Sequence, residues 1–190
     1  MPNAFYSPTN KVSGGALFAS WNSKDGSIYF KLLKQIANNP DKKGNFDGKN
    51  PLNIKLSQDE AADIIRAIRT NSKSKFYHKF DSAVTTGEFS FYTIPASGQY
   101  PERNGFGLSV KKTVEGKETV IKVGFTAGSA ERLSLFLKNA LVHIFDAEYS
   151  QDLKEAKEYN EKKAASKPAA KESEPEPEGD GIPPSDDVPF

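Results

Sequence analysis

Twice along this chain a series of strand-like segments ends in an amphipathic helix, and that duplicated order restricts the fold more than any other feature. In the first half, two-residue alternation predicts strands at Ala16–Trp21 and Ser27–Ile36, joined as a hairpin through Asn22-Ser23-Lys24-Asp25-Gly26 with its Asp-Gly turn dipeptide. Residues 37–51, rich in Asn, Asp, Gly and Lys, read as a long loop, and Leu52–Leu56 as a short strand. Ser57-Gln58-Asp59-Glu60 is a capping box, and Ala61, Ile64, Ile65 and Ile68 follow at helical spacing until Asn71–Ser74 ends the helix. In the second half, strands are expected at Lys75–Phe80, Gly87–Ile94, Gly105–Lys112 and Glu118–Phe125, the last two flanking a turn at Thr113–Lys117. Thr126-Ala127-Gly128-Ser129 then opens a helix with Leu133, Leu137, Ala140, Leu141 and Ile144 on one face. A repeat of about 70 residues is too long for a solenoid. It predicts an α+β domain of two antiparallel sheets, each with a helix packed on it.

This pattern stops near residue 150, which divides the chain into a body (1–150) and a tail (151–190). Residues 151–163 extend a helix but offer almost no apolar face. Residues 164–187 are Ala, Lys, Ser, Pro, Glu, Gly and Asp with few apolar side chains, a composition that predicts disorder because it buries too little apolar area to offset ordering entropy. Charge divides at the same place: residues 1–150 carry a net +6 and residues 151–190 a net −5. A basic body beside an acidic tail suggests a polyanion partner and a separate role for the tail, although a charge of +6 alone is common among domains that bind no nucleic acid. Cysteine is absent, so disulfides, thiolate metal sites and a cysteine nucleophile are excluded. No apolar run approaches the roughly 20 residues of a membrane helix. Met1–Tyr6 has no secretory pattern, so a cytoplasmic location is expected, or the nucleoid or host cytoplasm for a phage-encoded chain.

The body resembles the Whirly family of single-stranded DNA-binding proteins from about Val12 to Asp146. The residues that carry the likeness are Gly14-Gly15-Ala16-Leu17-Phe18, Leu56-Ser57-Gln58-Asp59-Glu60, Lys75-Phe76-Tyr77-His78-Lys79-Phe80-Asp81 and Asn139-Ala140-Leu141-Val142-His143-Ile144. The resemblance implies a duplicated ββββα domain, sequence-independent binding of single-stranded DNA, and a homo-oligomer, a tetramer or else a dimer, with the second helix around His143 and Phe145 as a contact region. An OB-fold body is the structural alternative. The terminus, Gly181 to Phe190, is similar to the C-terminal tip of bacterial and phage single-stranded DNA-binding proteins. Phe190 supplies an aromatic anchor beside its own carboxylate, Pro189 and Val188 precede it, and Asp186 and Asp187 suit a basic rim around a partner's pocket. The resemblance implies recruitment of replication, recombination or repair proteins; the plain alternative is a solvated tail that maintains solubility.

Binding a single strand without sequence preference needs cations along the backbone and aromatic faces for unstacked bases. Trp21 ends a strand beside a polar turn and is assigned to base stacking in slight preference to the core. Tyr29 and Lys31 face away from Ile28, Phe30 and Leu32. Lys75, Tyr77 and Lys79 alternate with Phe76, His78 and Phe80, of which Phe76 and Phe80 are expected in the core. Tyr92, Lys111 and Lys122 are further candidates on strands, and Tyr100 and Arg103 in the loop Pro95–Asn104. A lone strand lysine is more often simply solvated. Lys42, Lys43 and Lys49 of the long loop are also candidates for phosphate contact. His78 and His143 read as structural. No Ser-His-Asp spacing, phosphate-binding glycine loop or His-Glu-x-x-His pattern occurs, so a binding protein with no metal or cofactor is expected rather than an enzyme. Two rival readings remain: an RNA-binding or transcription-regulating protein on the same fold, and a scaffold that acts through its tail alone.

Overall fold

A computed structural model of the chain describes residues 3–9, 11–38, 44–96, 98–99 and 101–165. Five strands, β1 (Asn3–Ser7), β2 (Gly15–Asn22), β3 (Ser27–Asn38), β4 (Gly44–Phe46) and β5 (Leu52–Leu56), precede α1 (Gln58–Thr70). Four more, β6 (Lys73–Phe80), β7 (Ala83–Ile94), β8 (Arg103–Val114) and β9 (Lys117–Thr126), precede α2 (Ala127–Ala165). The chain divides into a compact unit, Met1–Gln151, and a second unit that begins at Asp152, of which residues 152–165 are described and helical. No helix among the described residues is long and apolar enough to cross a membrane.

Every strand pair is antiparallel. One sheet runs β1-β2-β3-β4, with β5 also on β3, and the other runs β6-β7-β8-β9. Strand β3 serves two partners: Ile28–Leu32 pairs with β5 and Gln35–Asn38 with β4. Two open sheets, each followed by a helix, form the expected α+β Whirly-like architecture rather than a single closed barrel.

Two strands depart from expectation. Strand β1 pairs with β2 through Phe5 opposite Leu17, but it is short, stops before Pro8 and buries one large side chain, Phe5, so its sequence shows no usable alternation. The segment read as a loop from residue 37 holds the end of β3 and all of β4. Backbone pairing, not side-chain pattern, makes that strand, and a bulge between Gln35 and Ala37 interrupts its register.

The α1 cap forms as its sequence predicts. Ser57 Oγ accepts the Glu60 amide at 3.2 Å, and Glu60 Oε2 accepts the Ser57 amide at 2.9 Å. At the other end Asn71 takes the left-handed conformation that closes many helices. Thr126 caps α2, its Oγ1 accepting the Ser129 amide at 3.2 Å. A single core joins both sheets and both helices: Ile28, Phe30 and Leu32 of β3 and Phe89, Leu108 and Ile121 of the second sheet meet Ile64 of α1 and Leu133, Leu137 and Ile144 of α2. Burial of each such side chain stabilises the fold by about 1.5–3 kcal/mol. Helix α1 lies on β6 and β7 as well as touching β3, so the first repeat's helix covers the second sheet. Phe80 does not join this core. It stands at the end of β6, where the two-residue turn Asp81-Ser82 leads into β7, and is 77% exposed.

Candidate nucleic-acid interface

Because side chains alternate across a strand, the registers of β6 to β9 decide which residues share the face away from the core. Four rows result. Lys79, Val84, Thr113 and Glu118 lie in line across the sheet; next to them lie Tyr77, Thr86, Lys111 and Val120; then Lys75, Glu88, Ser109 and Lys122; then Lys73, Ser90, Gly107 and Gly124. Tyr92 follows in register with Gly105 and Thr126, and Arg103 opposite Ile94. Seven of the residues singled out in the sequence, Lys75, Tyr77, Lys79, Tyr92, Arg103, Lys111 and Lys122, therefore belong to one face although they come from four strands. Tyr77 is 61% exposed, and a shallow trough of about 460 Å³ runs beside it between Lys75, Thr86, Glu88, Ser109 and Lys111. Lys75 Nζ lies 3.3 Å from the cross-strand carboxylate of Glu88, and Lys111 pairs with Glu118. Such exposed pairs contribute little to stability, so the lysines can exchange a carboxylate for a phosphate at small cost.

Tyr29 and Lys31 occupy the outer face of the first sheet, as expected, in register with Lys55 and Asn53 of β5 and with Ser20 and Phe18 of β2. The Tyr29 hydroxyl donates to Asp25 Oδ2, which raises the tyrosine's pKa and, with Lys55 at 3.7 Å as a further cause, lowers that of Asp25. Exposed Tyr6 stacks edge-on against Phe18, with ring centroids 5.7 Å apart.

Trp21 is placed differently from its base-stacking assignment. Its register with Ile28 sets it on the core face, where its ring lies 5.2 Å from that of Phe136 and stacks on His143 at 5.8 Å with the planes 4° apart. Both partners belong to α2. The other histidine, His78, bonds through Nε2 to Glu60 Oε1 at 2.8 Å and so ties β6 to the cap of α1. Tyr100, Lys42, Lys43 and the tip residues Asp186, Asp187, Val188, Pro189 and Phe190 lie outside the described residues.

Sequence reasoning missed Lys73 and Tyr6. Lys73 extends the Lys75, Tyr77, Lys79 alternation by one step, a signal present once the strand is begun two residues earlier. Tyr6 lay on the unrecognised β1. It lines, with Ser7 and Pro8, a cleft of about 700 Å³ whose other walls include Tyr92, Ile94, Arg103, Gly105, Gly124 and Thr126. Among the described residues no cluster of three or more metal-ligating side chains occurs.

No protein-family model matches the chain, and no curated protein matches it. Solved structures do. WHY1 from Arabidopsis thaliana superposes with a TM-score of 0.54 over 82% of this chain and 92% of that one, at 12% identity. The plant transcriptional regulator PBF-2 gives 0.55 over 80% and 86%, at 12% identity. MRP1/MRP2 of Trypanosoma bruciei gives 0.50 over 74% and 83%, at 17% identity. At these identities the likeness establishes the fold, and the fold is Whirly-like.

Proposed function

We infer that this protein binds single-stranded nucleic acid, DNA in the first instance, without sequence preference, and serves in replication, recombination or repair. One observation carries the reading: the cations and tyrosines of β6, β7, β8 and β9 converge on one outward face, where backbone contacts and base stacking can be made together. The fold shared with WHY1 and PBF-2 is consistent with the reading. The acidic tip would then recruit partner proteins to the coated strand. A second copy of the chain is expected along α2, where Leu135, Val142, Phe145 and Tyr149 expose an apolar stripe opposite Leu133, Leu137, Ala140 and Ile144. The chemistry is recognition, not catalysis.

The test is a titration of the full chain with oligo-dT of increasing length, alongside single-stranded RNA and duplex DNA, with the mass of each complex measured. Tight, salt-dependent binding of oligo-dT over duplex is expected. Preference for RNA would move the assignment to an RNA-binding protein on this fold, and absence of any binding at low salt would leave the scaffold reading.

A further inference from the structure

Within the cleft between β1 and the second sheet, one arrangement is unlike the rest of the surface. Tyr92 lies over three glycines on two neighbouring strands. A methyl group placed on Gly105 would stand 3.0 Å from Cζ and from the hydroxyl of Tyr92, and one on Gly107 would stand 3.5 Å from its Cε1. One on Gly124 would stand 2.9 Å from Ser7 Oγ and 3.5 Å from the Tyr92 hydroxyl. The ring therefore extends from β7 across β8 toward β9, its underside on bare backbone, while the residue stays 39% exposed. Glycine inside a strand weakens it, and three in adjacent register positions on one face mark a place where something must approach the backbone closely. The ring itself makes that approach. Its upper side opens into the cleft walled by Tyr6 and Ser7.

We propose that this cleft is a pocket for a single unstacked nucleobase, with Tyr92 as its stacking platform and Gly105, Gly107 and Gly124 as the residues that keep it open. The inference rests on the nucleic-acid reading and adds a specific place and a selection to it. A flat aromatic with one face supported and the other open offers stacking to any base, so the pocket is tolerant of sequence. A base paired and stacked within a duplex cannot enter a recess between β1 and the second sheet without being flipped out, which costs a few kcal/mol. The pocket thus discriminates strandedness, whereas the lysines of the outer face respond only to charge.

The experiment uses the full chain and oligo-dT carrying 5-iodouracil, with crosslinked peptides mapped by mass spectrometry. Crosslinks at Tyr92 or Tyr6 are expected. Tyr92→Leu, with an unchanged melting temperature, should weaken oligo-dT binding on the order of tenfold while leaving its salt slope intact, since no phosphate contact is lost. Gly107→Val, which lifts the ring and fills the recess, should do the same; should that variant fail to fold, Tyr92→Leu decides alone. If oligo-dT binds Tyr92→Leu as tightly as the unaltered chain and crosslinks map only to Lys75–Lys79, the pocket is refuted while the nucleic-acid reading stands. If the unaltered chain binds no oligo-dT at low salt, both fall.

Discussion

At the scale of single residues, Trp21 and Tyr77 show how little residue type says about role without a register. Both are aromatic, both sit on strands beside polar neighbours, and both were candidates for base stacking. Pairing of Trp21 with Ile28 turns it inward onto Phe136 and His143, while Tyr77, opposite Thr86, points out. Trp21→Ala should therefore lower stability by about 2–3 kcal/mol, at or below the floor of the range of about 3–5 for buried large aromatics because Trp21 is only partly buried, and leave oligo-dT affinity unchanged. Tyr77→Ala should do the reverse, costing about 1–3 kcal/mol of binding with little change in melting. As Trp21 is the single tryptophan, its emission offers a direct check: it should report unfolding but stay constant when oligo-dT is added. Tyr29 makes a second residue-level case. Its bond to Asp25 raises the tyrosine's pKa, so the contact is intact below the ordinary value of 10.0 and is lost as pH climbs through the higher one. The carboxylate is depressed, so its share is present above 3.8 and is lost as pH falls through the lowered value. An absorbance titration should place one tyrosine above its ordinary range, and Asp25→Asn should return it downward.

At the scale of elements, the second sheet depends on a glycine the sequence gives no reason to notice. Gly87 on β7 faces Phe76 on β6, and a Cβ built there would stand only 1.8 Å from Cζ of the phenyl ring. The ring covers the glycine, so each needs the other. Gly87→Val should displace Phe76 from the core at a cost of about 3 kcal/mol, within the range for severe overpacking or loss of a buried aromatic, read as a large drop in melting temperature. Ser57→Ala should cost only about 1 kcal/mol, since it removes one cap bond and leaves Glu60 still held by His78. The contrast explains what was legible. The capping box, the α1 stripe of Ala61, Ile64 and Ile68, the β2–β3 hairpin and the α2 face were readable because each is a local pattern whose physics is contained in a few neighbouring residues. β1, β4 and the glycine floor under Tyr92 were not, because each is made by backbone pairing or cross-strand packing that leaves no readable side-chain alternation in its own segment. For the same reason the outward set of Lys75, Tyr77 and Lys79 could be chosen from alternation on one strand, but its union with Lys111, Lys122 and Tyr92 needed the pairing of β6 through β9. Phe80 was misplaced because alternation predicts a face but not where along the strand the core stops.

At the scale of the whole molecule, the net charge of +1 conceals two opposed parts, +6 on residues 1–150 and −5 on residues 151–190. If the body's outer face binds a polyanion, the chain carries its own competitor. Free nucleic acid and the acidic tail would then contend for the same cations, and both contests would weaken with salt. Affinity for oligo-dT should fall by about 0.7 log units per contacted phosphate for each decade of salt. Deleting residues 180–190 removes three aspartates and the aromatic anchor Phe190 together. Two consequences should separate. Oligo-dT binding should tighten modestly at low salt, and the gain should vanish near 1 M salt, where the screening length is only about 3 Å. If the tip recruits partners as proposed, their capture should be lost at every salt concentration where the intact chain shows it, because the proposed contact includes the apolar Phe190 plug, which no charge on the body can replace. A truncated chain that binds both oligo-dT and partners as the intact one does would remove the tail from the mechanism and leave the sheet face to act alone.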